Sequence, residues 1–502
     1  MQTAQTTSVN RNYSIAARSA SGSAMLLARQ VLGQGMNFVG LIFLARYLSI
    51  EDYGFFGIVF FLFSFIANFG DVGLSASLLR QKDEPTSNDF SGVFTAQLTL
   101  SAVTAVIFAA VSPLLCRAYN LPASYALYFV LISASLLITA FRAVPTAKLE
   151  RHLDFKWLSV IEIIQVAVYN TMAAVLAYNG YGPLSFTLAL LCRVLLGSVL
   201  VNIVSRTPLK LNFNWALIKK HLAFGLPYQV GIFVNTLKDS ISPVIIGLIL
   251  SAAHTGRVNM ASTIVTFPVL LLLILNRLFF PAFSRAINDR QTLEKLFALA
   301  IRANNALAAP LAIFVLLMVR PFTLHVFGGK WVEPETMEMC YLLWAANLFL
   351  PTLMVCTCLL NAFGKSKTVL KYNLVWMLMT LGIGTPLIFV FGAKGFGYAN
   401  IAVSIATSIV AWQMRKYIYC KIFKDAVIGW LPAVLFIWVP LSFRYFFEIG
   451  KLHLFLCAAI YFVLSAGMTC FLSKKDIRAI MKKSTEEQPI SAGIGIEDGK
   501  SA

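Results

Sequence analysis

The chain has 502 residues, 58% of them hydrophobic and only 13% charged, with a mean hydropathy of +0.76. A soluble protein of this length needs far more polar surface to cover its core, so the soluble globular class is excluded and a polytopic membrane protein is indicated. The formal net charge of +19 does not point to nucleic acid, because the basic residues sit in loops between apolar spans rather than on one soluble domain.

Segment 1–21 is polar, and no small-residue cleavage site follows a short apolar core, so the first span is expected to remain in the mature chain. Apolar windows of spanning length then recur about fourteen times. Six come first: Gly22–Ala45, Gly54–Leu79, Phe90–Leu115, Ser124–Ala147, Leu158–Ala177 and Leu184–Val204. Six more follow: Leu222–Ser251, Val258–Phe280, Leu296–Val319, Met337–Ala362, Val369–Phe391 and Gly397–Tyr417. Val427–Phe447 and Leu452–Leu472 close the series, and the Gly-rich polar end from Ser484 is expected to be disordered. With the amino terminus inside, roughly 29 of the 41 Lys and Arg fall in inner loops and tails and about 8 outside, a strong positive-inside bias that places both termini in the cytoplasm.

Six helices return a chain to its starting side, so a repeat beginning at the seventh is parallel to the first. Arg46-Tyr-Leu-Ser-Ile-Glu-Asp-Tyr-Gly54 can be laid over Leu248-Ile-Leu-Ser-Ala-Ala-His-Thr-Gly256, matching Leu-Ser and then Gly in register. The expected fold is an all-α polytopic membrane protein with about 14 transmembrane helices in two six-helix bundles around a central cavity. Its parts are a cytoplasmic tail (1–21), a first bundle (22–204), a cytoplasmic linker (205–221), a second bundle (222–417), two extra helices (418–472) and a cytoplasmic, partly disordered tail (473–502).

The seventh window is unusually polar. Between Pro227 and Pro243 it carries Gln229, Asn235, Thr236, Lys238, Asp239, Ser240 and Ser242, and polar residues on two faces of a helix call for protein or water around them rather than lipid. An ionisable residue at membrane depth costs at least about 2.5 kcal/mol on insertion scales, which makes it a functional candidate. Arg29 lies in the first window on a face shared with Gly33, Asn37 and Gly40, Arg142 in the fourth and Arg193 in the sixth. Buried acids are fewer: Asp71, Glu162 and Asp239, with Glu162, Gln165 and Tyr169 sharing one helical face. The deeper charges are mainly cationic, which favours an anionic cargo. The candidate headgroup-binding residues are therefore Arg29, Asn37, Arg142, Arg193, Asn235 and Lys238, with Asp71, Glu162 and Asp239 as counter-charge or coupling groups.

Catalytic chemistry is not legible. The five histidines lie in loops or at span ends without ligand spacing, the eight cysteines read as small hydrophobes, and no Gly-rich phosphate loop ends in Lys-Ser/Thr. No catalytic residue, metal or cofactor is expected, and the outer connections are too short to hold a soluble active site.

Several segments in order resemble the polysaccharide transporter branch of the MOP flippase superfamily, the Wzx-like exporters of lipid-linked repeat units. They are Ala45-Arg-Tyr-Leu-Ser-Ile-Glu-Asp-Tyr-Gly-Phe-Phe-Gly57, Asp71-Val-Gly-Leu74, Lys148-Leu-Glu-Arg-His-Leu-Asp-Phe-Lys156, Phe224-Gly-Leu-Pro227, Ile245-Ile-Gly247, Phe280-Pro-Ala-Phe-Ser-Arg285 and Phe327-Gly-Gly-Lys-Trp331. One departure stands out: where that family carries an Asp shortly before Ile-Ile-Gly, this chain has Ser242, with Asp239 one turn earlier. The resemblance implies a multi-pass protein of the bacterial inner membrane that moves undecaprenyl-diphosphate-linked oligosaccharide between leaflets by alternating access. It implies as partners the lipid-linked oligosaccharide and membrane lipids, with a polysaccharide polymerase and chain-length or export proteins as further candidates. Three rivals remain at this stage: a MATE-type cation-coupled drug or solute antiporter, a membrane enzyme of glycan polymerisation, and a scaffold that only recruits other assembly proteins.

Overall fold

The computed structural model describes residues 29–81, 83–207, 210–419, 421–446 and 450–486, and within these helices the side chains of Asn235, Lys238 and Asp239, among others, lie outside the description. Regular structure among the described residues is helical throughout, as a chain that must satisfy its own backbone in hydrocarbon requires. Among the described residues ten helices are long and apolar enough to cross a membrane, and the pair Pro334–Ala346 and Leu350–Ala362, bent by 43°, makes an eleventh when taken as one span. The seventh window is not one helix. It is α8 (Trp215–Ser240) followed by α9 (Ser242–Ile249), with Pro243 in the first turn of α9, where its missing N–H is tolerated as it would not be in a helix interior.

The chain folds as two compact units, 1–262 with 326–339 and 372–399, and 263–325 with 340–371 and 400–502. The first unit contains α1 (29–47), α2 (Ile50–Asp71), α3 (Leu74–Arg80), α4 (Ser87–Ala118), α5 (Ala126–Arg151), α6 (Phe155–Tyr178) and α7 (Leu184–Ser205), then α8, α9 and the start of α10 (Ala252–Ala286). Its framework is α4 along α5, α5 along α7, and α7 along α6.

Helix α2 begins where Ser49 Oγ accepts the Asp52 N–H at 3.0 Å, with Glu51 and Asp52 in the first turn to complement the helix dipole. It ends where Val72 and Gly73 turn left-handed, at φ 44° and 71°. The loop before α4 is closed by a reciprocal cap between Thr86 and Asp89.

The internal echo in the sequence has a structural counterpart. Ser251 precedes α10 as Ser49 precedes α2, and its Oγ accepts the His254 N–H at 3.4 Å. A Cβ on Gly54 would overlap the Ala252 carbonyl, and a Cβ on Gly256 would overlap the Ile50 carbonyl. Ile50 and Ala252 are equivalent in the alignment, as are Gly54 and Gly256, so α2 and α10 cross by a local two-fold relation in which each glycine admits the other helix's backbone. Gly73 and Gly225, from two further family-like segments, also meet backbone to backbone, a Cβ on Gly225 falling 2.5 Å from the Val72 carbonyl.

A third pairing closes the end of α1. Trp331 is fully buried, donates its indole N–H to the Ala45 carbonyl at 2.8 Å and meets Tyr53 edge-on at 5.0 Å. Lys330 Nζ donates to the carbonyls of Arg46 and Leu48, and Arg46 Nε donates to the Val326 carbonyl at 2.7 Å. The Phe327–Trp331 segment thus caps carbonyls that the end of a helix leaves without partners. Burial pushes the Lys330 ammonium below the ordinary lysine range, with Asp52 acting against that fall.

After α10 come α11 (Arg290–Phe322), α12 (Pro334–Ala346), α13 (Leu350–Ala362), α14 (Ser366–Phe391), α15 (Ala393–Gln413), α16 (Ile422–Leu435), α17 (Trp438–Phe446) and α18 (Lys451–Glu486), and the second unit is built around α11, against which α16 and α18 pack. Ala309, Ile313, Phe314 and Met318 of α11 share one core with Ala433, Leu454 and Tyr461. Gly429 lets α16 approach closely, since a Cβ there would sit 2.8 Å from the Arg302 carbonyl. Polar groups in this contact are closed on one another. Arg302 Nε donates to Asp425 Oδ1 at 2.7 Å, and Asn305 receives the Trp430 indole N–H at 3.0 Å while donating to Thr352 Oγ1 at 3.0 Å.

Candidate functional site

One face of α6 gathers three of the sequence-predicted arginines. Glu162, Gln165 and Tyr169 recur at helical spacing, so they stack along a single stripe. Arg29 Nη1 lies 2.5 Å from Glu162 Oε2, Arg142 Nη1 donates to Gln165 Oε1 at 3.0 Å, and the Arg193 guanidinium lies 5.6 Å from the Tyr169 ring centroid. The three partners differ in kind: a carboxylate, an amide and an aromatic ring. Among the described residues only Arg29 of the three is neutralised by direct contact, and that pair is 28% and 43% exposed, which leaves it little net stabilising effect.

Small residues make the stripe possible. A Cβ on Gly197, one turn after Arg193 on α7, would sit 2.5 Å from Gln165 Cδ, so glycine there is what admits the amide that orients Arg142. Gly40 plays the same part for Asn170, whose amide occupies the space a side chain would take and donates to Asn37 Oδ1 at 3.1 Å. Asn37 therefore joins α1 to α6, and it does not line the cavity described next.

That cavity, of about 500 Å³, is bounded by α2, α3, α4, α5 and α7 and lined by Asp71, Gln97, Arg142, Glu150 and Arg193 among others. Asp71 Oδ1 accepts from the Ser75 N–H at 3.1 Å, the Ser75 hydroxyl at 2.8 Å and the Gln97 amide at 2.5 Å. Among the described residues, neither Asp71 nor Glu150 forms an ion pair with Arg142 or Arg193. The sequence leads to the expectation of a chiefly cationic chamber. The lining instead sets two arginines against two carboxylates, unpaired with one another among the described residues, with Arg142, Arg193 and Asp71 each held by neutral neighbours. Such a site offers guanidinium groups to phosphate oxygens and carboxylate acceptors to hydroxyl donors within one volume.

The structure thus brings Arg142, Arg193 and Asp71 to one cavity and places Arg29 and Glu162 together beside the same α6 stripe. Asn235, Lys238 and Asp239 lie outside the described side chains. Glu150 is the residue that sequence reasoning missed. It stands in the basic run Lys148-Leu-Glu-Arg-His and reads as loop, but α5 continues to Arg151, which puts Thr139, Arg142, Thr146 and Glu150 at helical intervals on the cavity side. A separate groove of about 740 Å³ between α1 and α6, lined by Val39, Phe43, Ala174 and Val175, is apolar and suits hydrocarbon rather than a charged group.

The fold and this cavity define a multi-pass membrane transporter. Residues 43–335, more than half of the chain, match the family described as "Polysaccharide biosynthesis protein", and the chain belongs to that family, the Wzx-like polysaccharide transporter branch of the MOP superfamily that its motifs resemble. It is a protein of the inner membrane. The matched region contains Asp71, Arg142, Glu150, Glu162 and Arg193, whereas Arg29 and Asn37 precede it.

Among curated relatives, the succinoglycan biosynthesis transport protein ExoT of Rhizobium meliloti (strain 1021) is 26% identical over 301 residues, 59% of this chain and 60% of that protein. The lipopolysaccharide biosynthesis protein WzxC of Escherichia coli (strain K12) is 24% identical over 344 residues, 65% of this chain and 67% of that protein. The chain therefore aligns with about 60% of the length of ExoT and about two thirds of that of WzxC. Among solved structures, the lipid II flippase MurJ in an inward closed conformation superposes with a TM-score of 0.71 over 91% of this chain and 100% of that one, at 15% identity. An inward-facing multidrug resistance MATE family transporter gives 0.58 over 82% and 96%, at 16% identity. At such identity these structures establish a shared fold.

Proposed function

We propose that this protein carries an undecaprenyl-diphosphate-linked oligosaccharide repeat unit from the cytoplasmic to the periplasmic leaflet, by alternating access, for assembly of a surface polysaccharide such as an exopolysaccharide, O-antigen or capsule. The observation that carries the reading is the placement of Arg142 and Arg193 on one cavity, each held by a partner that leaves its charge available. A diphosphate needs fixed cationic donors once it leaves water. The sugars that follow it need hydrogen-bond acceptors, and Asp71 and Glu150 stand in the same volume. The lipid tail has no need to enter a polar cavity, since it can remain in hydrocarbon while the headgroup crosses. An inside-negative potential assists outward movement of an anion by about 2.3 kcal/mol per charge per 100 mV. The relatives' names, a succinoglycan transport protein and a lipopolysaccharide biosynthesis protein, support the same cargo class.

The finer architecture belongs to this proposal: about fourteen helices, with bundles over 22–204 and 222–417, two further helices over 418–472 and both termini cytoplasmic, supported by the hydropathy windows and the positive-inside bias.

The test is translocation of a fluorescent undecaprenyl-diphosphate-linked oligosaccharide by the purified full chain in vesicles. Arg142→Ala and Arg193→Ala are each expected to slow it by about tenfold or more, as loss of one charge-assisted contact requires, with normal membrane insertion. Unchanged rates in both variants would exclude the reading, and transport of a dye cation by wild type and both variants alike would favour the drug-antiporter class.

A further inference from the structure

A second charged hollow lies in the other unit, at the connection between two candidate spans, Ala393–Lys416 and Ile422–Tyr445. It encloses about 490 Å³ and is lined by Arg415, Tyr419, Lys421, Phe423 and Lys424 among others. With Lys416, the three lining cations make four within ten residues; such a run is common in a membrane-protein loop and by itself shows only a solvated edge. Three further observations distinguish this group.

The nearby acids are already engaged. Asp425 is 5% exposed and accepts from Arg302 at 2.7 Å, while Glu294 takes both Arg290, at 3.2 Å, and the Tyr419 N–H, at 3.3 Å. Those contacts pin the connection at both ends, and among the described residues the side chains of Arg415, Lys421 and Lys424 form no ion pair or hydrogen bond. Lys365 shows the alternative nearby: its ammonium is occupied by the Tyr417 ring, 3.9 Å away.

Below the hollow runs an apolar track. Phe423, Val427, Leu431 and Leu435 recur every four residues along α16 and are 54%, 67%, 43% and 49% exposed. From the first to the last is about 18 Å of helix, close to one leaflet of a hydrocarbon core about 30 Å thick. Tyr419, 79% exposed, and Trp412, 56% exposed, stand at the same end as the cations, and such rings favour the headgroup level.

We infer that the Arg415–Lys421–Lys424 hollow binds the phosphate-bearing headgroup of an anionic phospholipid of the bilayer, with one acyl chain lying along the Phe423–Leu435 track. Free anions fit the charge but not the track, and zwitterionic lipids fit the track but bring a cation of their own and no net negative charge to three cations. The inference does not depend on the cargo proposed above, because the site is in a different unit from the Arg142–Arg193 cavity.

The test titrates the purified full-length protein in detergent with palmitoyl-oleoyl phosphatidylglycerol or phosphatidylcholine, and counts retained lipid on the intact chain by native mass spectrometry. Wild type is expected to hold phosphatidylglycerol at least tenfold more tightly than phosphatidylcholine. Arg415→Gln, Lys421→Gln and Lys424→Gln are each expected to weaken it about fivefold, and the triple variant to abolish the preference. The equally discharged control Lys219→Gln/Lys367→Gln/Lys371→Gln, at exposed positions elsewhere, is expected to retain it. The inference fails if the control loses the preference to the same extent, if the single variants bind as wild type does, or if inorganic pyrophosphate displaces the lipid completely at equal concentration. It also fails if the triple variant loses undecaprenyl phosphate while keeping phosphatidylglycerol, which would assign the hollow to cargo.

Discussion

Two charged groups, one in each unit, are held in opposite ways. In the second, Arg302 is closed by Asp425 at 2.7 Å against a carboxylate side chain that is 7% exposed, and Asn305 satisfies Trp430 and Thr352 at once. In the first, Arg142 and Arg193 rest on an amide and a ring and face a cavity that also holds two carboxylates they do not touch. Desolvating an ion is costly in either place. A sealed pair recovers that cost within the fold, whereas a group held by neutral neighbours keeps its charge available to a ligand. On the proposed function, the difference separates a charge that serves packing from one left available to cargo, although both read alike as lone ionisable residues in apolar windows.

The largest expected effect tests the sealed side. Asp425→Leu strands Arg302 and is expected to cost about 2–3 kcal/mol, toward the low end for a buried pair because Arg302 keeps 29% of its side chain accessible. A lowered thermal midpoint in detergent measures it, with transport per folded molecule unchanged; a transport defect without instability would erase the contrast. Gln165→Leu probes the open side at smaller amplitude. Arg142 keeps its charge and loses its orienting acceptor, so translocation is expected to fall about fivefold, the value of one hydrogen bond near 1 kcal/mol, while stability changes little. A thermal shift as large as that of Asp425→Leu would show Gln165 to be a packing residue. Smallest is Glu162→Gln, which removes the carboxylate beside Arg29. With that pair 28% and 43% exposed, the expected stability change is under about 1 kcal/mol, read as a thermal shift near the error of the measurement.

Much of this was legible in the chain. Composition alone requires helices in a membrane, and the α6 stripe Glu162–Gln165–Tyr169 follows from helical period. The Leu-Ser…Gly echo marks two helix starts that cross through Gly54 and Gly256, because a capping serine and a side-chain-free crossing point are both local demands with visible residue types. Other features were illegible for a physical reason. Glu150 sits in a basic run whose local pattern says loop, and only the continuation of α5 past Pro145 turns it inward. Arg302 stands alone in the apolar window Leu296–Val319, and its partner Asp425 is 123 positions away.

Hydropathy and period thus determined the helical membrane class of the protein and which residues were chemically out of place, since each depends on neighbours within a few turns. Which arginine is sealed and which stays open depends on the identity of the atom facing it from a distant helix. Only tertiary packing chooses that atom, because contact across helices is set by crossing points such as Gly197 and Gly429 that carry no charge signal of their own.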